Sequence, residues 1–205
     1  MTKDILKLYL VLETKMLKVP LGDFVNSVIK NGVTAIQLRD KGMTAREQFE
    51  TGEYLVKLLA GTGVLFVMND RIDLARAVGG RVVHLGVKDI PLLAAKKAFP
   101  EMVFGYSCND ENDIAMAKYA DYIGVGPAFM TKTKEDLRPV IGPAGIAKLI
   151  KRTGKPAVAI GGINEENISQ LKGTGIAGVA VSSYICASSN PSRAASRMRE
   201  LVEKL

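Results

Sequence analysis

Thr34-Ala-Ile-Gln-Leu-Arg-Asp40, Thr44-Ala-Arg-Glu47 and Leu65-Phe-Val-Met-Asn-Asp70 decide how this chain folds. The first and third are short apolar runs ending in polar groups, the pattern of strands covered on both faces. Between them, Thr44 and Glu47 have capping-box spacing, in which each side chain satisfies an exposed backbone N–H at a helix start. A helix is predicted from there to about Ala60. A buried strand, a helix and a second buried strand form one parallel strand–helix–strand unit.

The unit repeats in both directions. Strand-length runs occur at Leu8–Glu13, Val82–Gly86, Met102–Ser107, Tyr122–Pro127, Ala157–Ile163 and Gly178–Ser183, besides the two above. The intervening segments carry helix punctuation. Pro20 precedes Leu21–Lys30, Arg71–Val78 stops at Gly79-Gly80, and Pro91 opens Leu92–Ala98. Asn109 or Asp110 could cap a helix to Lys118, Pro143 opens one ending near Thr153-Gly154, Asn164 could cap Glu165–Lys172, and Asn190-Pro191 opens a last helix through Glu203. Eight such units in 205 residues are most economically closed as a single-domain (β/α)₈ TIM barrel over residues 1–205. An open doubly wound sheet is the alternative, since alternation alone does not prove closure.

Composition narrows the partners. Apolar residues make up 47% and charged residues 24%, a globular profile with no run of membrane-spanning length. The net charge of +7 favours anionic partners. Without Trp, a zinc-finger pattern or a basic surface studded with aromatics, nucleic acid is a poor match, and phosphorylated small molecules fit the charge. Cys108 and Cys186 form no CxxC pattern and read as reduced thiols of a cytoplasmic protein without a signal peptide. The sequence leaves open both their pairing and whether the protein is a homo-oligomer.

In such a barrel the active site lies where the strands end. At the second exit Gln37, Arg39 and Lys41 alternate onto one side, with a guanidinium fork and a compact cation suited to a pyrophosphate. The plainer alternative is a solvated cluster in which Asp40 neutralises Arg39. Asn69 and Asp70 end the third run, and Asp89 follows the fourth. Two carboxylates on neighbouring strand ends can hold Mg²⁺, although each aspartate also directly precedes a helix and could be an ordinary N-cap. His84, the only histidine, reads as a supporting core residue and not as a base. Ser107 ends the fifth run as a phosphate donor, and the neighbouring Cys108 reads as structural. Gly161-Gly162 and Ser182-Ser183, after the seventh and eighth runs, suit a monophosphate held by backbone N–H groups and hydroxyls. After the sixth run the loop Thr131-Lys132-Thr133-Lys134 lies between the two anion sites.

Taken in order, Gln37-Leu-Arg-Asp-Lys41, Asn69-Asp-Arg71, Val83-His-Leu-Gly86 with Asp89, Gly124-Val-Gly-Pro127 with Thr131–Lys134, and Ala159-Ile-Gly-Gly-Ile163 resemble the thiamine phosphate synthase family, from about Leu8 to Ile185. The resemblance implies a Mg²⁺-assisted transferase that joins hydroxymethylpyrimidine diphosphate to thiazole phosphate and releases pyrophosphate. It implies that Gln37, Arg39, Lys41, Asn69, Ser107 and Lys134 bind the pyrimidine diphosphate, with Arg39, Lys41, Ser107 and Lys134 carrying the catalysis. Asp70 and Asp89 would hold the metal, and Thr131, Lys132, Thr133, Gly162, Ser182 and Ser183 the thiazole phosphate. Two positions depart from the family pattern: Val87 stands where Gln is usual, and Asn109 where His is frequent. A thiazole tautomerase on the same barrel, or a phosphate-binding barrel without catalysis, are the competing functions.

Overall fold

A computed structural model describes residues 3–131 and 138–205. Its strands are β1 (Leu8–Leu12), β2 (Ala35–Leu38), β3 (Leu65–Asn69), β4 (Val82–Leu85), β5 (Val103–Cys108), β6 (Tyr122–Val125), β7 (Ala157–Ile160) and β8 (Gly178–Val181). Each pairs in parallel with the next, and β8 returns to β1, with Leu8 opposite Val179. The sheet therefore has no edge, and the open doubly wound alternative is excluded.

Side-chain alternation divides the core into two layers. Leu8, Leu10, Leu12, Ile36, Leu38, Met68 and Phe104 point outward and pack under the helices. Tyr9, Val11, Ala35, Val67, Val82, Tyr122, Val158 and Ala180 fill the barrel interior. Continuing the inward series toward the strand ends gives Glu13 after Val11, Gln37 and Arg39 after Ala35, and Asn69 after Val67. It gives His84 after Val82, and Ser182 after Ala180. The residues that the interior presents at its mouth are thus fixed by the same two-residue period that builds its core.

The helices are α1 (Leu21–Lys30), α2 (Ala45–Leu59), α3 (Ile72–Ala77), α4 (Leu92–Ala98), α5 (Ile114–Ala117), α6 (Gly142–Thr153), α7 (Ser183–Cys186) and α8 (Pro191–Val202). The Thr44–Glu47 capping box forms as expected, and α6 stops at Gly154, whose φ of 65° is open to glycine without a Cβ penalty. Three expectations need correction. The segment 165–172 is not an α-helix. Asn164 Oδ1 accepts from the backbone N–H groups of Glu166 and Asn167, closing a turn, and only the 3₁₀ turn Ile168–Leu171 follows. Asp110 does cap the segment after β5, but this breaks into a 3₁₀ turn (Glu111–Asp113) and the single helical turn of α5. The eighth run, expected through Ser183, ends at Val181, and Ser182-Ser183 instead opens the short helix α7. Among the described residues no helix is long and apolar enough to cross a membrane.

Candidate active site

A cavity of about 980 Å³ opens at the C-terminal ends of the strands, and every expected site residue within the described segments lines it. These are Gln37, Arg39, Lys41, Asn69, Asp70, Asp89, Ser107, Thr131, Gly162, Ser182 and Ser183. Lys132, Thr133 and Lys134 lie outside the described residues.

On one side the cavity is cationic. Arg39 Nη1 donates to Glu13 Oε1 at 3.0 Å, and Lys15 Nζ stands 3.5 Å from the other oxygen of the same buried carboxylate. Asp40 does not neutralise Arg39. Its carboxylate turns away and accepts from Thr14 N (2.9 Å) and Thr14 Oγ1 (2.6 Å), tying the turn after β1 to the end of β2. The register explains the exchange of partners. Val11 faces Gln37 and Leu12 faces Leu38, so the next rung sets Glu13 beside Arg39 on the inward face.

Neither aspartate is a helix cap. The residue at the α3 start is Arg71 and at the α4 start Pro91, each without a side-chain cap. Asp89 Oδ2 instead accepts from Gly86 N at 2.6 Å, folding the turn after β4 back on itself. Asp70 takes φ +61°, alone among the described non-glycine residues in having a positive φ, while its N–H donates to His84 O at 2.9 Å. Asp and Asn tolerate this left-handed conformation best, and here it swings the carboxylate toward Asp89. Burial, then the hydrogen bond and repulsion from Asp89, push the Asp70 carboxyl up to about 6 against the pull of Lys41 and Arg39. Lys41 Nζ lies 3.8 Å from Asp70 Oδ2.

Across the cavity the loops after β6 and β7 are pressed together. Ala128 N donates to Ile160 O (2.8 Å) and Phe129 N to Gly161 O (2.9 Å). The Gly126–Pro127 peptide is cis. Gly162 is at φ +66°, and a Cβ there would clash with Met130 O, so only glycine lets the Phe129–Met130 backbone approach this turn. Ser182 Oγ is buried and has no hydrogen-bond partner among the described residues. Its nearest acceptor is the sulfur of Cys186, whose own hydrogen goes to Val11 O at 3.7 Å. Sulfur is a weak acceptor, so the hydroxyl remains a donor for a better one in the cavity.

The floor was not anticipated. Gln37 Nε2 donates to Tyr9 OH (2.9 Å), Tyr9 OH bonds Tyr122 OH (2.9 Å), and Tyr122 OH bonds His84 Nδ1 (3.3 Å). His84 Nε2 then bonds Ser107 Oγ at 3.1 Å. The supporting role expected of His84 thus has a structure. Glu13, Tyr9 and Tyr122 escaped sequence reasoning. Only their place in the inward series, two and four residues from other inward residues, could have marked them.

Cys108 and Cys186 are free and buried, and burial pushes their thiols up to about 12 and about 11. Neither is a nucleophile at neutral pH, as the sequence suggested for Cys108.

The chain is similar to known proteins throughout. Residues 8–185 match the family model described as thiamine monophosphate synthase. A thiamine-phosphate synthase from Archaeoglobus fulgidus is 42% identical over 86% of this chain and 84% of its own length. One from Pyrococcus furiosus is 38% identical over 98% and 96%. The solved thiamine phosphate pyrophosphorylase from Pyrococcus furiosus superposes with a TM-score of 0.88 at 35% identity, covering 98% of both chains. A 3-hexulose-6-phosphate synthase, at 15% identity over 96% of this chain and 99% of that one, shares the fold with a TM-score of 0.69.

Proposed function

The chain belongs to the thiamine monophosphate synthase family, and from that premise we propose how its site joins the two halves of thiamine phosphate. The protein is a transferase that makes thiamine phosphate. Its substrates are 4-amino-2-methyl-5-hydroxymethylpyrimidine diphosphate and 4-methyl-5-(2-phosphoethyl)thiazole, and pyrophosphate leaves. The supporting observation is the Asp70–Asp89 pair beside Arg39 and Lys41, across one cavity from the Gly162 and Ser182 turns.

The donor set fits Mg²⁺. Two carboxyls close enough to share a hydrogen bond, one with its acidity suppressed by burial and by the other, are relieved by a hard cation that keeps water and phosphate oxygens in its remaining positions. Among the described residues no group of three or more His, Cys, Asp or Glu offers a fuller cage. When bound, the ion would neutralise charge on the departing pyrophosphate.

The remaining roles belong to side chains. Arg39, its fork oriented by Glu13, and Lys41 receive the diphosphate charge, and Asn69 and Ser107 donate to its oxygens. Gln37 faces the pyrimidine. Lys134 completes the cationic side through the family resemblance alone, as Lys132 and Thr133 do on the thiazole side. Thr131, Gly162, Ser182 and Ser183 hold the thiazole phosphate. The pyrimidine methylene carbon loses its C–O bond to the diphosphate, becomes cationic, and is attacked by the thiazole nitrogen. No protein nucleophile is required, which agrees with two buried thiols held protonated. Orientation of both substrates in one cavity supplies much of the remaining acceleration. Free, buried thiols also suit the reducing cytoplasm.

Pyrophosphate release from purified protein tests this directly. Release that needs both substrates and MgCl₂, and that EDTA suppresses, is the expected result. Interconversion of thiazole tautomers without any pyrophosphate would overturn it in favour of the tautomerase.

A further inference from the structure

The polar chain across the barrel floor has a direction. Tyr9 and Tyr122 are fully buried, and burial, the dominant cause, raises both phenols far above their ordinary range, so each keeps its one hydrogen. Tyr9 OH accepts from Gln37 Nε2 and has Tyr122 OH as its other partner. Either hydroxyl could donate in the Tyr9–Tyr122 bond, but with Tyr9 accepting from Gln37 the order that satisfies each group has Tyr9 donating to Tyr122 and Tyr122 donating to His84 Nδ1. A ring whose Nδ1 accepts carries its hydrogen on Nε2, which donates to Ser107 Oγ. Ser107 is then left with its O–H to give to the cavity it lines. At the opposite end, Gln37 Oε1 accepts no hydrogen bond among the described residues, and Gln37 lines the same cavity.

The chain needs space that two glycines provide. A Cβ at Gly105 would meet Tyr122 Cζ at 2.2 Å and His84 Nδ1 at 2.5 Å, and one at Gly124 would meet His84 Cε1 at 3.1 Å. Both glycines sit on strands where a side chain would otherwise help fill the interior. Tyr122 and His84 occupy the space those side chains would take.

We propose that Tyr9, Tyr122 and His84 are positioning residues that lock the Gln37 amide with Oε1 toward the pyrimidine and set Ser107 as a donor to the diphosphate. This assignment rests on the functional reading above. An acceptor held in place by Tyr9 selects a substrate carrying an amino hydrogen there and rejects the oxo analogue, which would leave two acceptors facing each other. The same polarity makes His84 a donor toward Ser107, so the pair does not act as base and nucleophile.

Two measurements test the proposal. His84 is the only histidine, so its ¹⁵N resonances identify the tautomer of the substrate-free protein without ambiguity. A neutral ring protonated at Nε2 is expected at pH 7.5, whereas protonation at Nδ1, or at both nitrogens, overturns the polarity. The second is the kcat/KM ratio for the 4-amino pyrimidine diphosphate against its 4-oxo analogue. In Tyr9→Phe the amide is free to turn, and the ratio should fall by about tenfold, with KM for thiazole phosphate unchanged. An unaltered ratio sinks the proposal, and Tyr122→Phe, which removes the same anchor one bond further on, replaces the variant if Tyr9→Phe does not fold. If the wild type forms no thiamine phosphate, the functional reading has failed, while the tautomer still decides the hydrogen-bond order.

Discussion

Replacing Asp70 by Asn separates what this carboxyl does for function from what it costs the fold. Asp70 rises from 3.8 to about 6 chiefly through burial, and next through Asp89. At 1.36 kcal/mol per pH unit this corresponds to about 3 kcal/mol. The carboxyl keeps about a quarter of its surface in water, so screening reduces the figure to about 1–2 kcal/mol. The sign follows from linkage. Below about pH 4 the group is protonated in folded and unfolded chains alike and costs nothing. Between about 4 and 6 the unfolded chain releases its proton while the folded one retains it, so stability falls as pH rises, and above about 6 the penalty is complete. Asn cannot ionise, and it tolerates the φ of +61° as well as Asp does. In EDTA at pH 7.5, Asp70→Asn should melt above the wild type by about 2–8 °C for a chain of this size. The gap should close toward pH 4. MgCl₂ should raise the wild-type melting temperature and leave the variant's unchanged, and the variant should form no thiamine phosphate. Differential scanning calorimetry across that pH range is the assay. A gap independent of pH, or an equal Mg²⁺ shift in both proteins, would refute the assignment of Asp70.

Ser182→Ala removes a buried hydroxyl without a partner, so thermal stability should hold or improve slightly, while isothermal titration should show about tenfold weaker binding of thiazole phosphate. Equal affinity in variant and wild type would detach Ser182 from the phosphate site. Gly162→Ala sets a Cβ against Met130 O at a left-handed φ. Its folding free energy, from urea titration, should drop by about 1–3 kcal/mol and KM for thiazole phosphate should rise. Native protein should show no thiol reacting with Ellman's reagent at pH 8, and denatured protein two, because burial suppresses both thiolates. Fast labelling of either in the native state would contradict that.

What the sequence displays depends on how local the physics is. The two-residue period of Ala35, Gln37 and Arg39 is a property of one strand, and it already places the cationic groups at the barrel mouth. Gly161 and Gly162 are equally visible as a turn, but the reason for them lies on another strand: a Cβ at either would strike Pro127 or Met130 O of the loop after β6. The helix boundaries that failed are short ones. Asn164 offers its side chain to two backbone N–H groups, which serves a turn as well as a helix, and the segment behind it forms only a 3₁₀ turn.

Partnerships across the barrel are the opposite case. Nothing adjacent to Arg39 names Glu13, and the aspartate beside it in sequence is the wrong partner, because Asp40 points outward by the same alternation that points Arg39 in. Tyr9 and Tyr122 meet across 113 residues of chain, and each alone reads as one more aromatic in an apolar run. Closure supplies what is missing. In an eight-stranded barrel the inward positions of distant strands converge on one axis, so polar atoms buried there must bond one another or remain unsatisfied. Gln37, Tyr9, Tyr122, His84 and Ser107 come from β2, β1, β6, β4 and β5, and each bonds the next. The glycines at 105 and 124 become intelligible only beside that chain, as the space it occupies. A barrel that needed nothing but a core would fill those two positions. Here Tyr122 and His84 take that space instead, and the two ends of the polar floor they carry, Gln37 and Ser107, line the cavity.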